Sequence, residues 1–352
     1  MNRSMLRRPA RRAAAPWSWR FHITPLLLAA LLLLAGMTLA VGVGSVALGP
    51  AEVLRAVWHG LTGELSSTAD TIVWQVRLPR VLLAALVGAA LALAGVAYQG
   101  VFRNPLADPY LLGAASGAGF GAAVALVFGA SVPLLARSLP LVAFVFALIS
   151  VALTVLLAQQ RGRLPLVSLI LAGVVLGSSF SAATSYLMLW ERDNAARVLS
   201  WLLGSFALSS WAQVATLTPL ALLAGGVMWA SAQALNVMQL GEESALQLGL
   251  PLEAFKATLI TVATLATAAA VSVAGIIGFV GLIVPHAVRL AVGPDHRTLI
   301  PLSGLVGALF MVLADLAART VIAPAELPIG VVTALVGGPF FLYLLRRQRR
   351  LG

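Results

Sequence analysis

The sequence predicts an all-α protein that crosses a membrane many times, and three observations carry that prediction. Of 352 residues, 60% are hydrophobic and 10% charged, with a mean hydropathy of +0.98, far from the balance of a soluble domain. The apolar residues fall into runs close to the roughly 20 residues a helix needs to cross hydrocarbon. The net charge of +11 sits at the ends: Arg3, Arg7, Arg8, Arg11, Arg12 and Arg20, then Arg346, Arg347, Arg349 and Arg350, supply ten of those charges. Basic tails flanking apolar spans are the positive-inside signal, so both termini are expected in the cytoplasm and the number of spans is even. Charge confined to tails argues against a nucleic-acid partner; contact with anionic lipid is the secondary use such tails allow. With no cysteine, disulfides, thiolate metal sites and cysteine catalysis are excluded.

Taken in order, residues 1–22 read as a basic cytoplasmic tail and 23–345 as one membrane domain of about ten helices, closed by a second basic tail over 346–352. The first run, 23–46, is too long for the hydrophobic core of a cleaved signal and is read as an uncleaved span. Residues 49–74 hold Glu52, His59, Glu64 and Asp70 around an amphipathic stretch, AEVLRAVWHGL, expected to lie outside on the membrane surface. His59 is read as an interfacial residue, since no second ligand stands at i+4. The stretch 77–121 organises the rest: a charge-free span over 81–97, a polar turn RNPLADP, and a second span. Pro105 and Pro109 remove backbone donors and restrict the residues before them, so one helix cannot run through. Gly113, Gly117 and Gly121 recur every four residues, a small-residue face for close packing. Further spans are expected at 139–158, 167–189, 211–235, 255–274, 276–292, 299–321 and 329–345. Between them lie a short basic turn, QQRGRLP, a folded-back outer segment over 191–211, and a cytoplasmic polar island over 235–255. That island has a helical EESALQL followed by Gly249 and Pro251 as breakers, and its form is that of a docking surface.

Seven motifs in a fixed order carry a family resemblance: RLPR, GAALALAGVAYQGVFRNPLADPYLLG, LILAGVVLG, LGEESALQLGL, GFVGLIVPHAVRL, DHR and AELPIGVVTALVGGPFF. From about Arg77 to the C-terminus the chain resembles the permeases of ABC importers that take up iron chelates (siderophores, haem) and cobalamin. The resemblance implies the type II importer permease fold, in a bacterial inner membrane. It also implies a homodimer of ten-helix subunits, two cytoplasmic ATP-binding subunits, and a periplasmic binding protein that delivers substrate to the dimer axis.

Position by position, the resemblance assigns Arg77, Arg80 and Arg319 to receive acidic residues of the binding protein. The competing reading is that the first two snorkel at a helix end and Arg319 pairs with Asp315 one turn away. Asn104 and Leu106 match the inner-gate turn, against a plain capped turn as the alternative. Pro165 to Val167 fall where some relatives carry a hydroxyl-rich second gate; this chain has PLV there, so that gate is not transferred. Gly241, Glu242 and Glu243 fall in the ATPase-coupling loop, about 236–254, with a solvated acidic face as the alternative. Arg192, Arg197, Trp201 and Ser205 are candidates for grazing contact at the outer mouth.

Independently of family, the chain lacks G-x-x-x-x-G-K-[ST], the loop whose amides and lysine hold phosphates; its one lysine, Lys256, lies in EAFKATL. ATP and Mg²⁺ are therefore expected on partner subunits, and no cofactor on this chain. His286 and His296 lack companions at metal-ligand spacing. Ser116 in AASG falls one residue short of an intramembrane protease motif, and GAASGAGFG is not a dinucleotide loop. An ion-driven carrier would need a buried ionisable group in mid-membrane, for which Asp315 is the one approximation. The reading is a permease subunit moving an iron complex inward by alternating access, with cobalamin as the alternative cargo. Its pathway is expected to make weak contacts, selectivity belonging to the binding protein.

Overall fold

The computed structural model describes residues 23–44 and 48–349. The expected N-terminal tail over 1–22 and the end of the C-terminal one, 350–352, lie outside the described residues. Helix α1 (Ile23–Gly42) is followed by α2 (Pro50–Thr62), α3 (Thr68–Thr71) and a π-helical turn (Ile72–Arg77) that leads without a break into α4 (Leu78–Val101). After the polar turn and a 3₁₀ turn (Pro109–Leu112) come α5 (Ala114–Phe128), α6 (Pro133–Arg137), α7 (Leu139–Ala158), α8 (Leu166–Trp190) and α9 (Arg192–Leu202). The chain continues as α10 (Trp211–Ala230), α11 (Ala232–Met238), α12 (Glu242–Gln247), α13 (Leu252–Ala274), α14 (Val280–Val292), α15 (His296–Thr320) and α16 (Ile329–Arg349). Among the described residues seven helices are long and apolar enough to cross a membrane, counting Thr68–Val101 as one; α5, α14 and 329–342 are shorter apolar helices. Helix is the expected answer to lipid, because it satisfies its backbone polar groups internally.

Helix α4 is the centre, with almost every residue from Pro79 onward buried. Glycines let its neighbours approach. A Cβ at Gly88 would overlap the Gly307 carbonyl of α15, and one at Gly95 would overlap the backbone of Gly281 in α14. The small-residue face of α5 packs on α7: a Cβ at Gly117 would meet Ser150 Cβ at 2.5 Å, and one at Gly121 would meet Phe146 Cβ at 2.8 Å. Gly113 itself caps the helix at φ 83° instead of lying within it. Hydroxyls of α7 bond to the carbonyls of the turn ahead of α5. Ser150 Oγ donates to Gly113 O at 2.8 Å and Thr154 Oγ1 to Leu112 O at 3.0 Å.

Two expected spans are corrected. That over 276–292 is helical only from Val280, because Gly275 turns the chain at φ 75° against the Trp201 carbonyl and Phe279 sits at φ 72°. The unwound Ile277 is satisfied from a distance: Tyr110 Oη donates to Ile277 O at 2.9 Å and Ile277 N donates to Tyr110 Oη at 3.2 Å. That over 211–235 breaks at Ser231, whose N–H is shared between Val227 O and Met228 O while its hydroxyl bonds back to Val227 O. Such sharing tightens the local turn.

Candidate functional site

The three arginines singled out in the sequence do come together, at the end of the bundle where α1 and α15 terminate, but they face inward. Arg80 is 9% exposed and Arg77 5%. The Arg80 guanidinium is forked twice: Nε and Nη2 donate to Asp315 Oδ1 at 3.0 and 2.8 Å, and Nη1 and Nη2 to Glu326 Oε1 and Oε2 at 2.9 Å each. Paired N–H groups on a planar fork match a carboxylate edge, and this one matches two. Arg77 donates to the carbonyls of Val41 and Gly42 at 2.9 and 3.0 Å, and Arg319 to that of Ala40. These are last-turn carbonyls of α1, beyond the reach of its own N–H groups, and they form the negative end of its dipole, which the guanidiniums face. Arg319 Nε also stands 3.7 Å from Asp315 Oδ2, the pairing weighed as its alternative. Glu326, in the loop before α16, is held below the usual carboxylate range by the Arg80 guanidinium bonded to it. Sequence reasoning missed Glu326, although it opens the ELPIG motif. The spacing gave no sign, since 246 residues separate it from Arg80.

The entry to this region has its own frame. The expected surface helix is α2, with Leu54, Trp58 and Leu61 exposed and Val53 and Ala56 buried. His59 has a partner after all: its Nδ1 lies 3.0 Å from Asp70 Oδ2. Nearby, α9 folds back over the α13–α14 break. Trp201 packs against the cluster formed by Ala118, Ala122, Ala268 and Val271, Ser205 N donates to Ala274 O at 2.9 Å, and Arg197 is bonded to Asn194. Arg192 is exposed.

At the opposite end, Asn104 Oδ1 accepts from Leu106 N at 2.9 Å, a capped turn. Leu106 and Pro105 close a narrow apolar crevice with Ile283, Phe340 and Phe341. Beside the turn, Asp108 Oδ1 accepts from Tyr110 N at 2.8 Å, while burial pushes its carboxyl up to about 6. Asp108, Ser116, Ser178 and Ser181 border an open groove of about 640 Å³ between α5 and α8. Ser116 Oγ is spent on Gly113 O at 3.0 Å, as a packing serine would be.

The polar island is held as a unit. Gly241 enters α12 at φ 120°, and Glu243 projects into solvent. Glu242 is tied down: Lys256, 3% exposed, places Nζ 2.6 Å from Glu242 Oε1 and 3.4 Å from Glu253 Oε1. Glu253 Oε2 accepts from Leu164 N at 2.8 Å, so the same lysine links α12 to the α7–α8 turn. Among the described residues no group of three or more His, Cys, Asp or Glu is placed to hold a metal ion.

The sequence profile of the FecCD transport family matches residues 31–347. The chain is 42% identical to the ABC transporter permease protein YvrB of Bacillus subtilis, covering 91% of this chain and 92% of that one. It is 41% identical to the cobalamin import system permease protein BtuC of Halobacterium salinarum, covering 79% and 74%. It is 38% identical to the hemin transport system permease protein HmuU of Yersinia pestis, covering 93% and 98%. Among solved structures, one described as a metal-chelate type ABC transporter in an inward-facing conformation superposes with a TM-score of 0.82 at 34% identity, covering 93% of this chain and all of that one.

Proposed function

This chain belongs to the FecCD transport family, and from that premise we propose that it is the permease subunit of an ATP-driven importer for an iron complex, a siderophore or haem. Two copies form the translocation pathway in the bacterial inner membrane, each with ten spans and cytoplasmic termini. Two ATP-binding subunits drive them from the cytoplasm, and a periplasmic protein delivers the cargo. Cobalamin is the alternative cargo. The haem relative and the metal-chelate neighbour support the first choice, the cobalamin relative the second.

One geometric observation carries the coupling half of this reading. A short helix stands exposed on a loop, yet a buried lysine fixes it to α13 and to the α7–α8 turn. A loop so held can pass a push from an ATPase into the bundle. Gly241, Glu242 and Glu243 are the contact we assign to that subunit. Asn104 and Leu106, capped and packed at the same end, are the residues we assign to the inner gate. Arg77, Arg80 and Arg319 form the patch we assign to the binding protein: three guanidiniums against Asp315 and Glu326 leave one net positive charge. Glu326, whose side chain is 40% exposed, is the group an incoming carboxylate would replace on Arg80. Such charge sets encounter rate and register more than affinity. Arg192, Arg197, Trp201 and Ser205 frame the mouth beneath it.

The test is ATP-driven uptake by proteoliposomes holding this chain and its ATPase. Binding protein is offered loaded in turn with ferric siderophore, haem, cobalamin and, because a Haemophilus influenzae relative is named for molybdate import, molybdate. Accumulation of an iron complex that needs both ATP and binding protein is the expected result. Accumulation of another cargo overturns the substrate assignment, and failure of the ATPase to join the chain overturns the importer. Coupling is read best from Glu243→Arg, since Glu242→Arg would also set an arginine against Lys256. The expected outcome is ATP hydrolysis retained and uptake lost.

A further inference from the structure

We propose that the end of the bundle carrying the inner turn holds a binding site for a phosphate-type oxyanion, formed by Arg103, Arg289 and His296. A cavity of about 290 Å³ opens there, lined by these three residues together with Gln99, Gln239 and Pro105. Two of its walls carry positive charge. Among the described residues neither Arg103 nor Arg289 has a carboxylate within ion-pair distance. Arg289 spends Nη1 on the side-chain oxygen of Gln99 at 2.8 Å, and among the described residues its remaining donors have no acceptor. Arg103 sits at φ 49°, a backbone conformation that a non-glycine residue adopts uncommonly. The bonds from Arg103 N to Gly100 O and from Asn104 N to Gln99 O hold it there.

The third wall is a buried group lacking its partner. His296 is 1% exposed, and its Nδ1 lies 2.9 Å from Asn236 Oδ1 and 2.8 Å from Gln239 Nε2. Its Nε2 is buried with no hydrogen-bond partner, and it faces Gly100, where an added Cβ would stand 3.4 Å away. A buried polar nitrogen left unpaired is costly. With Nδ1 accepting from Gln239 Nε2, the proton stands on Nε2, and an anion between the two arginines would give that N–H an acceptor. The neighbouring carboxylate does not compete: Asp295 Oδ1 accepts from Asn236 Nδ2 at 2.7 Å and from Arg297 N at 3.0 Å, and Asp295 does not line the cavity. Two guanidiniums and an imidazole converging on a small cavity select a compact oxyanion with several acceptor oxygens. Phosphate fits that description, whether free or in a lipid headgroup. Bound there, it would join the inner turn to α14 and to the start of α15.

The experiment uses the full-length chain purified in detergent, with thermal unfolding followed by tryptophan fluorescence. One arm titrates inorganic phosphate against chloride at matched ionic strength. The other compares nanodiscs of phosphatidylcholine with and without phosphatidylglycerol, reading retained lipid by native mass spectrometry. A saturable rise in melting temperature with phosphate assigns the site to the free ion; a rise or retained lipid with phosphatidylglycerol alone assigns it to a headgroup. In either case Arg103→Gln, at an exposed position, is expected to weaken binding about tenfold, read as the shift from the variant's own unliganded melting temperature. Arg137→Gln, at the other end of the bundle, should leave binding unchanged. No saturable effect in either arm, or an effect equal in Arg103→Gln and the wild type, overturns the proposal.

Discussion

Arg80 decides how the end of the bundle where α1 and α15 terminate behaves, because its charge is buried and answered twice. Removing one member of a buried pair leaves the other charged and desolvated, which costs about 3–5 kcal/mol. Arg80→Leu is therefore expected to lower stability by about that amount, and adding Asp315→Leu should recover only part of it, because Glu326 stays without Arg80 and Arg319 loses Asp315; chemical denaturation of the four proteins of the cycle measures the difference. The same geometry changes how a triple exchange of Arg77, Arg80 and Arg319 for Glu would be read, since it would strip the α1 carbonyls of their donors before testing any docking. Two carboxylates give opposite pH signatures. Glu326, depressed by Arg80, contributes stability that is present above the ordinary carboxylate value and lost as pH falls through its own lower one. Asp108, raised to about 6 from 3.8, contributes stability present below about 3.8 and lost as pH rises through about 6. Asp108→Asn keeps an acceptor for Tyr110 N, so it should melt higher than the wild type at pH 8 and no higher at pH 4. Equal melting curves at both pH values would remove the assignment. Arg77 and Arg80 were legible in RLPR as a motif, but the carboxylates that hold Arg80 were not: Asp315 and Glu326 lie 235 and 246 residues away, and a local pattern carries no information at that range.

At the scale of elements, the sequence announced helices through length and breaks through proline and glycine, and it failed where an apolar run is not a helix. Residues 276–279, IIGF, read as the start of a span. They are unwound because a distant tyrosine hydroxyl serves both backbone groups of Ile277. Tyr110→Phe removes that hydroxyl and leaves an N–H and a carbonyl unpaired in an apolar setting, a loss of about 1–3 kcal/mol. Hydrogen exchange at residues 275–279 should rise in this variant while the interior of α4 stays protected, and exchange unchanged at 275–279 would show that water or another group serves Ile277. The π-helical turn before α4 has a clearer local cause. Pro79 supplies no donor, and Leu78 N reaches back to Val73 O, so the register slips by one residue. Close packing of α4 then rests on glycine. Gly95→Leu would drive a side chain into the Gly281 backbone and is expected to abolish folded protein, whereas Gly226→Ala, with open space around it, should melt as the wild type does.

Over the whole molecule the unevenness of burial carries the functional argument. The α4 span is 78% buried within its apolar window, and the α8 span 11%, although both are membrane-length helices of one subunit. Val167, Leu171, Val174 and Val175 on α8, and Leu335 and Val336 on α16, stand exposed. Apolar exposure alone fits lipid equally well, but α8 also carries a line of hydroxyls. Ser178, Ser179 and Ser185 are exposed and bond back to Val174 O, Val175 O and Ser181 O, and Ser178 and Ser181 border the groove that Asp108 and Ser116 complete. Hydroxyls satisfied within their own helix can face a water-filled pathway or another helix without a desolvation cost, and small polar residues are what helix interfaces in membranes favour. A second copy laid along α8 would cover the apolar strip and turn the groove into the wall of a channel. Since the chain has no cysteine, one substitution gives a clean probe of that arrangement. Ser178→Cys in native membranes should form a dimer crosslinked by a short bifunctional maleimide, and Leu134→Cys, exposed on α6, should not. Crosslinking at both positions would indicate random collision, and at neither would mean that α8 faces lipid, leaving the pathway to be built from another surface.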